Sequence, residues 1–143
     1  MRKINLPSQK IDKKWGYEII WASTDTYCGK ILVFEQPGAK TAKLLHKEKR
    51  KSWFINAGRF KFTFVNVRTG EEQNVILEEG KTVDIAEMSP HYIEALAANS
   101  MIFETGTVDY EDDMFLLEPT DVVQTPTSKQ ELGLQSSHHR DKE

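Results

Sequence analysis

The feature that most constrains the fold is the alternation of apolar and polar residues in short runs that turn signals separate. Phe60, Phe62 and Phe64 alternate with other side chains, so the three aromatic rings share one face of a strand. We expect this aromatic stripe to pack in the core. Turn-forming sequences at 36–38 and 78–81 end neighbouring runs. The pattern predicts an antiparallel all-β sandwich or barrel.

The predicted strands are short and rich in β-branched and aromatic residues. Residues 15–118 are predicted to form a single domain. The polar, Lys-rich residues 1–14 predict an N-terminal arm, either mobile or paired as a strand. Residues 119–143 contain two prolines and lack aromatic residues, which predicts a disordered or loosely docked tail. His138 and His139 in this tail are expected to be solvated, the alternative being a weak metal site. The predicted strands are 17–21, 26–34, 52–56, 60–65, 74–77, 82–86, 91–95 and 100–106.

Composition narrows the class of protein. A length of 143 residues suits one domain, and 19 Lys+Arg against 22 Asp+Glu give a net charge of −3. This charge argues against general affinity for nucleic acid or anionic membranes, and no apolar run is long enough to span a bilayer. The N-terminal sequence does not resemble a secretory signal. The single cysteine, Cys28, excludes an intrachain disulfide; we expect a buried structural thiol in a cytoplasmic protein.

Four stretches, in consistent order between residues 14 and 96, together with a looser fifth match at 111–118, resemble the motifs of the cupins, a family of double-stranded β-helix (jelly-roll) barrels. The resemblance is closest to type II mannose-6-phosphate isomerases and to the C-terminal cupin domains of mannose-1-phosphate guanylyltransferases. It implies an all-β jelly-roll cupin barrel in one domain, with short helical turns at most. The matching stretches are 14–18 (KWGYE), 27–32 (YCGKIL) ahead of Pro37 and Gly38, 44–58 (LLHKEKRKSWFINAG), 80–96 and, more loosely, 111–118.

The resemblance implies a metal site of the pattern Gln-x-His-x(4)-Glu followed by a distant His. His46 and His91 stand at the two histidine positions, but Leu44 replaces Gln and Lys51 replaces Glu. The family set suits zinc, manganese, iron or nickel. Leu44 has no donor atom and a protonated Lys51 repels a metal ion, so this degenerate site favours the absence of a metal over its presence. Glu48 or Glu94 are conceivable replacements, although Glu94, three residues after His91, faces the opposite side of a regular strand.

Lys51 leads to a hypothesis of its own. If its ammonium occupies the place of the lost metal, it keeps the cavity positive and lowers the pKa of both histidines and of itself through desolvation and like-charge repulsion. Such a lysine could attract an anionic or carbonyl-bearing ligand, carry a proton or form a Schiff base. Alternatively its ammonium snorkels out into water. Trp53 is expected to pack in the core or to provide a stacking surface for a sugar.

Three functions are compatible with the sequence. The first is a sugar-phosphate enzyme, which the resemblance implies to be an aldose–ketose isomerase; His46, Lys51 and His91 would be catalytic, and Lys49, Arg50 and Trp53 would bind substrate. The second is a non-catalytic or divergent cupin that binds a sugar, nucleotide-sugar or small acid without metal. The third is a structural or interaction protein, with the barrel as a dimerisation scaffold. The basic run 43–51 is either a phosphate-binding surface or a solvated loop. The resemblance also implies a homodimer.

Overall fold

Residues 6–117 form two antiparallel sheets in the computed structural model, which describes this part of the chain. The six-stranded sheet has the order β1-β2-β3-β10-β5-β8, and the five-stranded sheet has the order β11-β4-β9-β6-β7. The eleven strands are β1 Gln9–Lys13, β2 Gly16–Ser23, β3 Cys28–Phe34, β4 Leu44–His46, β5 Lys51–Ala57, β6 Arg59–Val65, β7 Glu72–Glu78, β8 Thr82–Ile85, β9 His91–Ala95, β10 Ser100–Gly106 and β11 Met114–Leu116.

The two sheets enclose one core. Leu32 and Ile55 of the six-stranded sheet belong to the same buried cluster as Phe60 and Ile93 of the five-stranded sheet. The chain alternates between the sheets, as when β5 of the first sheet is followed by β6 of the second. This arrangement is the jelly-roll barrel of the cupin fold, so the predicted all-β fold class is confirmed. No helix occurs among the described residues.

Aromatic rings pack against one another in the apolar part of this core. The ring of Trp15, just before β2, stacks on Phe34 with 4.3 Å between ring centroids, and Phe60 meets Phe34 edge-on at 5.1 Å. Phe60 and Phe62 are buried, as the aromatic stripe predicts. Phe64 departs from that prediction because it lies near the end of β6, where its ring reaches the surface and is 36% exposed.

Two strands, β4 and β11, were not predicted from the sequence, and β1 was predicted only as one of two alternatives. β1 lies within 1–14 and pairs along its length with β2, which corresponds to the paired-strand alternative for that segment. β4 and β11 are three residues long, too short to show a period-2 pattern, and they pair with each other. The predicted tail 119–143 lies outside the described residues. The domain boundaries therefore stay predictions.

Two further sequence expectations concern single features. Cys28 is buried at the start of β3, as expected of a structural thiol. Gly58 makes the turn from β5 to β6 with φ of 82°, and a Cβ there would lie 2.0 Å from the Ser100 hydroxyl. Residues 6–117 contain no helix long and apolar enough to cross a membrane.

Candidate functional site

The inward faces of two central strands change from apolar to charged along their length. On β3 the inward residues run from Phe34 through Leu32 to Lys30, and on β10 Ile102 is followed by Glu104. The register pairs Ile102 with Leu32 and Glu104 with Lys30. The charged positions of both strands therefore lie at the same end of the barrel.

A cavity of about 70 Å³, which we call the inner cavity, lies at this charged end. His46 on β4 and His91 on β9 line it from the five-stranded sheet, while Lys51 and Trp53 on β5 line it from the six-stranded sheet. The structure thus brings both predicted histidines and Lys51 to one cavity. The other lining residues are Trp15, Glu18, Lys30, Leu32, Thr41, Leu44, Lys49, Glu104, Asp109 and Met114.

Lys49 is buried and held by two carboxylates. Its Nζ lies 2.8 Å from Glu104 Oε2 and 3.1 Å from Asp109 Oδ1. Burial alone would lower the pKa of Lys49, but Glu104 and Asp109 raise it well above its usual value. The Trp53 Nε1–H donates to the other oxygen of Glu104 at 2.8 Å. Glu104 therefore has both oxygens occupied, and Lys49 is a fixed cation.

Lys30 extends this charge network on the neighbouring strand. Its ammonium bonds Asp109 Oδ2 and lies 3.8 Å from Glu18 Oε2. Burial opposes the charged form, yet Glu18 and Asp109 raise the pKa of Lys30 well above its usual value. The ammonium groups of Lys30 and Lys49 hold the pKa of Asp109 below its usual value against the effect of burial. The charged cluster, as we call it, consists of Glu18, Lys30, Lys49, Glu104 and Asp109.

His91 is held in a defined tautomer. Its Nδ1 lies 2.8 Å from the Ser89 carbonyl oxygen. A carbonyl can only accept, so Nδ1 carries the hydrogen and Nε2 keeps the lone pair. Burial and the nearby Lys51 lower the pKa of His91 to about 3. His91 is therefore neutral at physiological pH and presents a proton acceptor at Nε2.

His46 is also buried and neutral. Burial and the positive charge of Lys51 lower its pKa to about 2. Its Nδ1 lies 3.8 Å from Asp113 Oδ2, too far for a hydrogen bond, and has no hydrogen-bond partner within residues 6–117. A buried nitrogen without a partner costs free energy, so a water or ligand donor reaching this atom would be favoured.

Lys51 differs from the other two lysines that line the inner cavity. It occupies an inward position of β5, two residues before Trp53, and its Nζ lies 4.9 Å from the centroid of the Trp53 indole. Across residues 6–117, Lys51 forms no ion pair with a carboxylate. Burial lowers its pKa to about 8, although Glu104 acts in the opposite direction. Its charge thus remains available to a ligand.

The basic run 43–51 does not form one phosphate-binding surface. Lys43 pairs with Glu72 at 2.6 Å. Arg50 is exposed and lies 3.4 Å from Glu87, outside the inner cavity, whereas Lys49 points into the charged cluster. The two residues predicted to bind substrate together, Lys49 and Arg50, are therefore separated. Arg50 instead lines an outer groove of about 430 Å³, which Lys51 also lines.

Asp113 fixes the loop that places Lys49, and sequence reasoning missed it. Its Oδ1 accepts from the backbone N–H groups of Lys47 and Glu48 at 2.9 and 2.8 Å, and its Oδ2 accepts from that of Lys49 at 2.9 Å. Three backbone hydrogen bonds to one buried carboxylate give the loop a single conformation. Asp113 is therefore a positioning residue for the charged end of the barrel.

The donor atoms present do not fit the metal site that the resemblance implies. Leu44 lines the cavity with a hydrocarbon side chain, and Lys51 brings an ammonium beside the two imidazoles. Glu94 is half-buried on the other face of β9, and Glu48 is exposed. In the part of the chain that the structure describes, no group of three or more His, Cys, Asp or Glu side chains could hold a metal ion.

Charged residues inside apolar strands were the signal that sequence reasoning did not use. Lys30 stands between apolar residues of β3, Glu104 follows Phe103 in β10, and Glu18 belongs to the Trp-Gly-x-Glu stretch. Each occupies an inward position, where an ionised side chain requires a partner. Asp109 and Asp113 lie in the connection after β10 and carry no such local signal.

Comparisons of the sequence find no matching family model and no matching curated protein. Comparisons of the structure find proteins with the same fold. KdgF from Halomonas sp. is 19% identical, with a TM-score of 0.54, over 64% of this chain and 76% of its own. The capsular polysaccharide assembling protein CapF from Staphylococcus aureus is 20% identical, with a TM-score of 0.68, over 80% of this chain and 33% of its own.

Oxalate decarboxylase from Bacillus subtilis is 18% identical, with a TM-score of 0.65, over 94% of this chain and 40% of its own. The chain thus spans about three quarters of KdgF but well under half of CapF and of oxalate decarboxylase. Identities this low establish a shared fold, and fold alone does not fix function. The chain has the cupin fold, and its likeness to mannose-6-phosphate isomerases stays a prediction.

Proposed function

We propose that this protein binds a small anionic or carbonyl-bearing organic molecule, such as a short carboxylic or keto acid, in the inner cavity without a transition metal. The supporting observation is the position of Lys51. Its ammonium lies beside two neutral histidines and, in residues 6–117, has no carboxylate partner. A positive charge without a fixed partner in a site lined by buried side chains attracts an anion or the oxygen of a polarised carbonyl.

The size of the inner cavity selects the ligand class. A buried water requires roughly 10–15 Å³ of such space, so about 70 Å³ accommodates a molecule of about five or six heavy atoms. Acids of two or three carbons have this size. Pockets for larger ligands commonly measure about 300–1,000 Å³. The cavity volume thus supports a small acid over a sugar phosphate held entirely inside.

The test compares binding by the wild-type chain with binding by Lys51→Met. Isothermal titration calorimetry with acetate, lactate, glyoxylate, pyruvate and oxalate, after treatment with a chelator, should detect saturable binding of at least one acid to the wild type. We expect Lys51→Met to weaken that binding at least about tenfold, because a charge-assisted contact typically contributes about 1.5–3 kcal/mol.

Lys47→Met is the matched control. It removes a lysine from the same basic run, but Lys47 is exposed and its Nζ lies over the Phe115 ring, 5.5 Å from the centroid. It should bind the acids as the wild type does. Binding by Lys51→Met equal to that of Lys47→Met would overturn the proposal.

Aldose–ketose isomerisation is the second candidate, favoured by the neutral His91. An imidazole whose Nε2 carries the lone pair could move a proton between C1 and C2 of a hexose phosphate. The outer groove, with Arg50, would have to hold the phosphate, since Lys49 is committed to carboxylates. Incubation with mannose 6-phosphate, followed by detection of fructose 6-phosphate, tests this candidate; no conversion above that of His91→Asn would reject it.

The homodimer and the cytoplasmic location stay predictions. For a dimer, the exposed aromatic side chains on the outer face of the six-stranded sheet are the first place to look: Trp21 on β2, Phe54 on β5 and Phe103 on β10. Sedimentation equilibrium of the full chain reports its mass in solution. A monomeric mass at all concentrations would contradict the dimer.

A further inference from the structure

We propose that Lys51 is a covalent site, whose amine forms a reversible imine with the carbonyl carbon of a small 2-oxo acid seated in the inner cavity. The inference rests on the proposed function, because the ligand must first enter the cavity. It goes further by naming the ligand class, the nucleophile and the bond that forms. The supporting observations are the positions of three lysines and two histidines around the inner cavity and of the outer groove beside it.

The inner cavity has three lysines along its wall, and two of them are already committed. Lys30 and Lys49 each contact two carboxylates of the charged cluster. An ammonium held in this way keeps its proton and cannot act as a nucleophile. Lys51 contacts an indole ring instead and forms no ion pair within residues 6–117. Lys51 is therefore the cavity lysine whose nitrogen can lose its proton and attack a carbonyl.

Lys51 can also be reached from solvent. The residue is half-buried, and it lines both the inner cavity and the outer groove. The outer groove contains Thr105 and also Ser52, whose hydroxyl donates to Asp84 Oδ1 at 2.7 Å. Because Lys51 lines both spaces, the outer groove is the route by which we expect a 2-oxo acid to reach it.

The proposed step conserves atoms and charge. The neutral Lys51 amine adds to the carbonyl carbon, so a C–N bond forms and the carbonyl oxygen gains one of the amine protons. The second amine proton leaves as the hydroxyl departs, and the carbonyl oxygen is released as water. His91 Nε2, which keeps its lone pair because Nδ1 donates to Ser89, accepts and returns a proton in this exchange. No oxidant, reductant or metal takes part.

The lowered pKa of Lys51, about 8, supports this role. At pH 7.5 about a quarter of such an amine is unprotonated, against about one part in a thousand for a lysine in water. The cause of the shift is burial, which is also what keeps the imine away from bulk water. The Trp53 ring against the side chain limits the positions that the nitrogen can adopt.

The experiment traps the imine by reduction. The full-length chain is incubated at pH 7.5 with glyoxylate and sodium cyanoborohydride, and peptide mapping by mass spectrometry measures N-carboxymethyl-lysine at each lysine. We expect Lys51 to be modified at least about tenfold faster than the exposed Lys47, from the difference in unprotonated fraction between such an amine and a lysine in water. Equal modification of the two lysines would overturn the proposal.

Two further measurements separate binding of the acid from formation of the imine. Glycolate has the carboxylate of glyoxylate but no carbonyl, so excess glycolate should slow the modification of Lys51 and leave Lys47 unchanged. Lys51→Arg keeps the charge but cannot form the imine, and calorimetry shows whether it still binds glycolate. Glycolate binding to the wild type without preferential trapping at Lys51 would overturn the covalent step and leave the proposed function standing. Absence of both binding and trapping would overturn both.

Discussion

The two ends of the barrel interior contain different kinds of side chains. At one end Phe34, Ile55, Phe60 and Ile102 fill the space with hydrocarbon and are fully buried. At the other end the charged cluster, which includes Lys30 on the strand of Phe34 and Glu104 on the strand of Ile102, lines a cavity of about 70 Å³. Apolar side chains pack without needing particular partners, whereas buried ions need specific ones. Both ends therefore stabilise the fold, the apolar end by packing and the charged end by specific ion pairs, and the charged end also lines the inner cavity.

The two ends differ in how far the stabilising effect of one residue depends on the presence of its neighbours. Each residue at the apolar end stabilises the fold in proportion to the apolar surface it removes from water, largely independently of its neighbours. Lys49, Glu104 and Asp109 depend on one another, because removing any one leaves a buried charge short of a partner. Mutations should therefore behave differently at the two ends.

The largest effect is expected at the charged end. Glu104→Gln keeps the acceptor for Trp53 but removes the negative charge beside Lys49, so we expect a loss of about 3–5 kcal/mol in the free energy of unfolding. The double variant Lys49→Met with Glu104→Gln should recover about 1–3 kcal/mol of that loss. Urea denaturation of the two variants and the wild type measures both. A double variant less stable than Glu104→Gln alone would contradict the dependence of these charges on each other.

At the apolar end, Ile55→Ala should cost about 2–5 kcal/mol, because it leaves a cavity in a fully buried position. In contrast to the charged pair, its effect should add to that of Glu104→Gln to within about 0.5 kcal/mol if the two ends are independent. Denaturation of the single and combined variants checks this. Strong non-additivity would show that the two ends are coupled.

The histidines make stability depend on pH. Their folded pKa values, about 2 for His46 and about 3 for His91, lie below the unfolded value of about 6.5. As pH falls below about 6.5 the unfolded chain binds protons that the folded chain does not, so stability should fall by about 1.4 kcal/mol per pH unit for each histidine. Between pH 6.5 and pH 5, before most carboxylates titrate, His91→Asn should remove about half of this slope. An unchanged slope would mean that His91 is protonated in the folded state.

The smallest effect on stability is expected at Lys51. Lys51→Met removes an ammonium whose charged form burial disfavours, so the free energy of unfolding at pH 7 should rise by no more than about 1 kcal/mol. As pH rises from about 8 towards 10.5, the wild type should gain stability relative to Lys51→Met. In this range the lysine keeps its proton in the unfolded chain and loses it in the folded chain. Thermal unfolding at pH 7 and pH 10 measures the gap. A large loss of stability in Lys51→Met at pH 7 would assign Lys51 a structural role instead.

The sequence predicted the elements whose signals are local. The alternation through Phe60 and Phe62 identified β6. The resemblance to the cupin motifs, and not a local pattern, placed His46 and His91 at one cavity, which both of them line. Three-residue strands are too short to show an alternating pattern, so β4 and β11 were not predicted. The exposure of Phe64 depends on where the opposite sheet ends, which a single strand does not encode.

The charged cluster could not be predicted because its contacts are distant in sequence. Lys30 and Asp109 are 79 residues apart, and Lys49 and Glu104 are 55 apart. Local patterns show that Lys30 interrupts an apolar strand, but they do not name the carboxylate that neutralises it. The orientation of Lys51 was open for a related reason. It became clear only when the strand placed 51, 53 and 55 on the inward face together.

The most direct test of the central claim is ligand binding at defined metal content. The chain is purified without a His tag, treated with a chelator and analysed by inductively coupled plasma mass spectrometry to establish that transition metals are removed. Glyoxylate and glycolate are then titrated into it by calorimetry, before and after addition of zinc, manganese, iron or nickel. We expect saturable binding to the stripped chain, unchanged by metal and lost in Lys51→Met. Binding that appears only when about one metal ion per chain is restored would contradict the role assigned to Lys51.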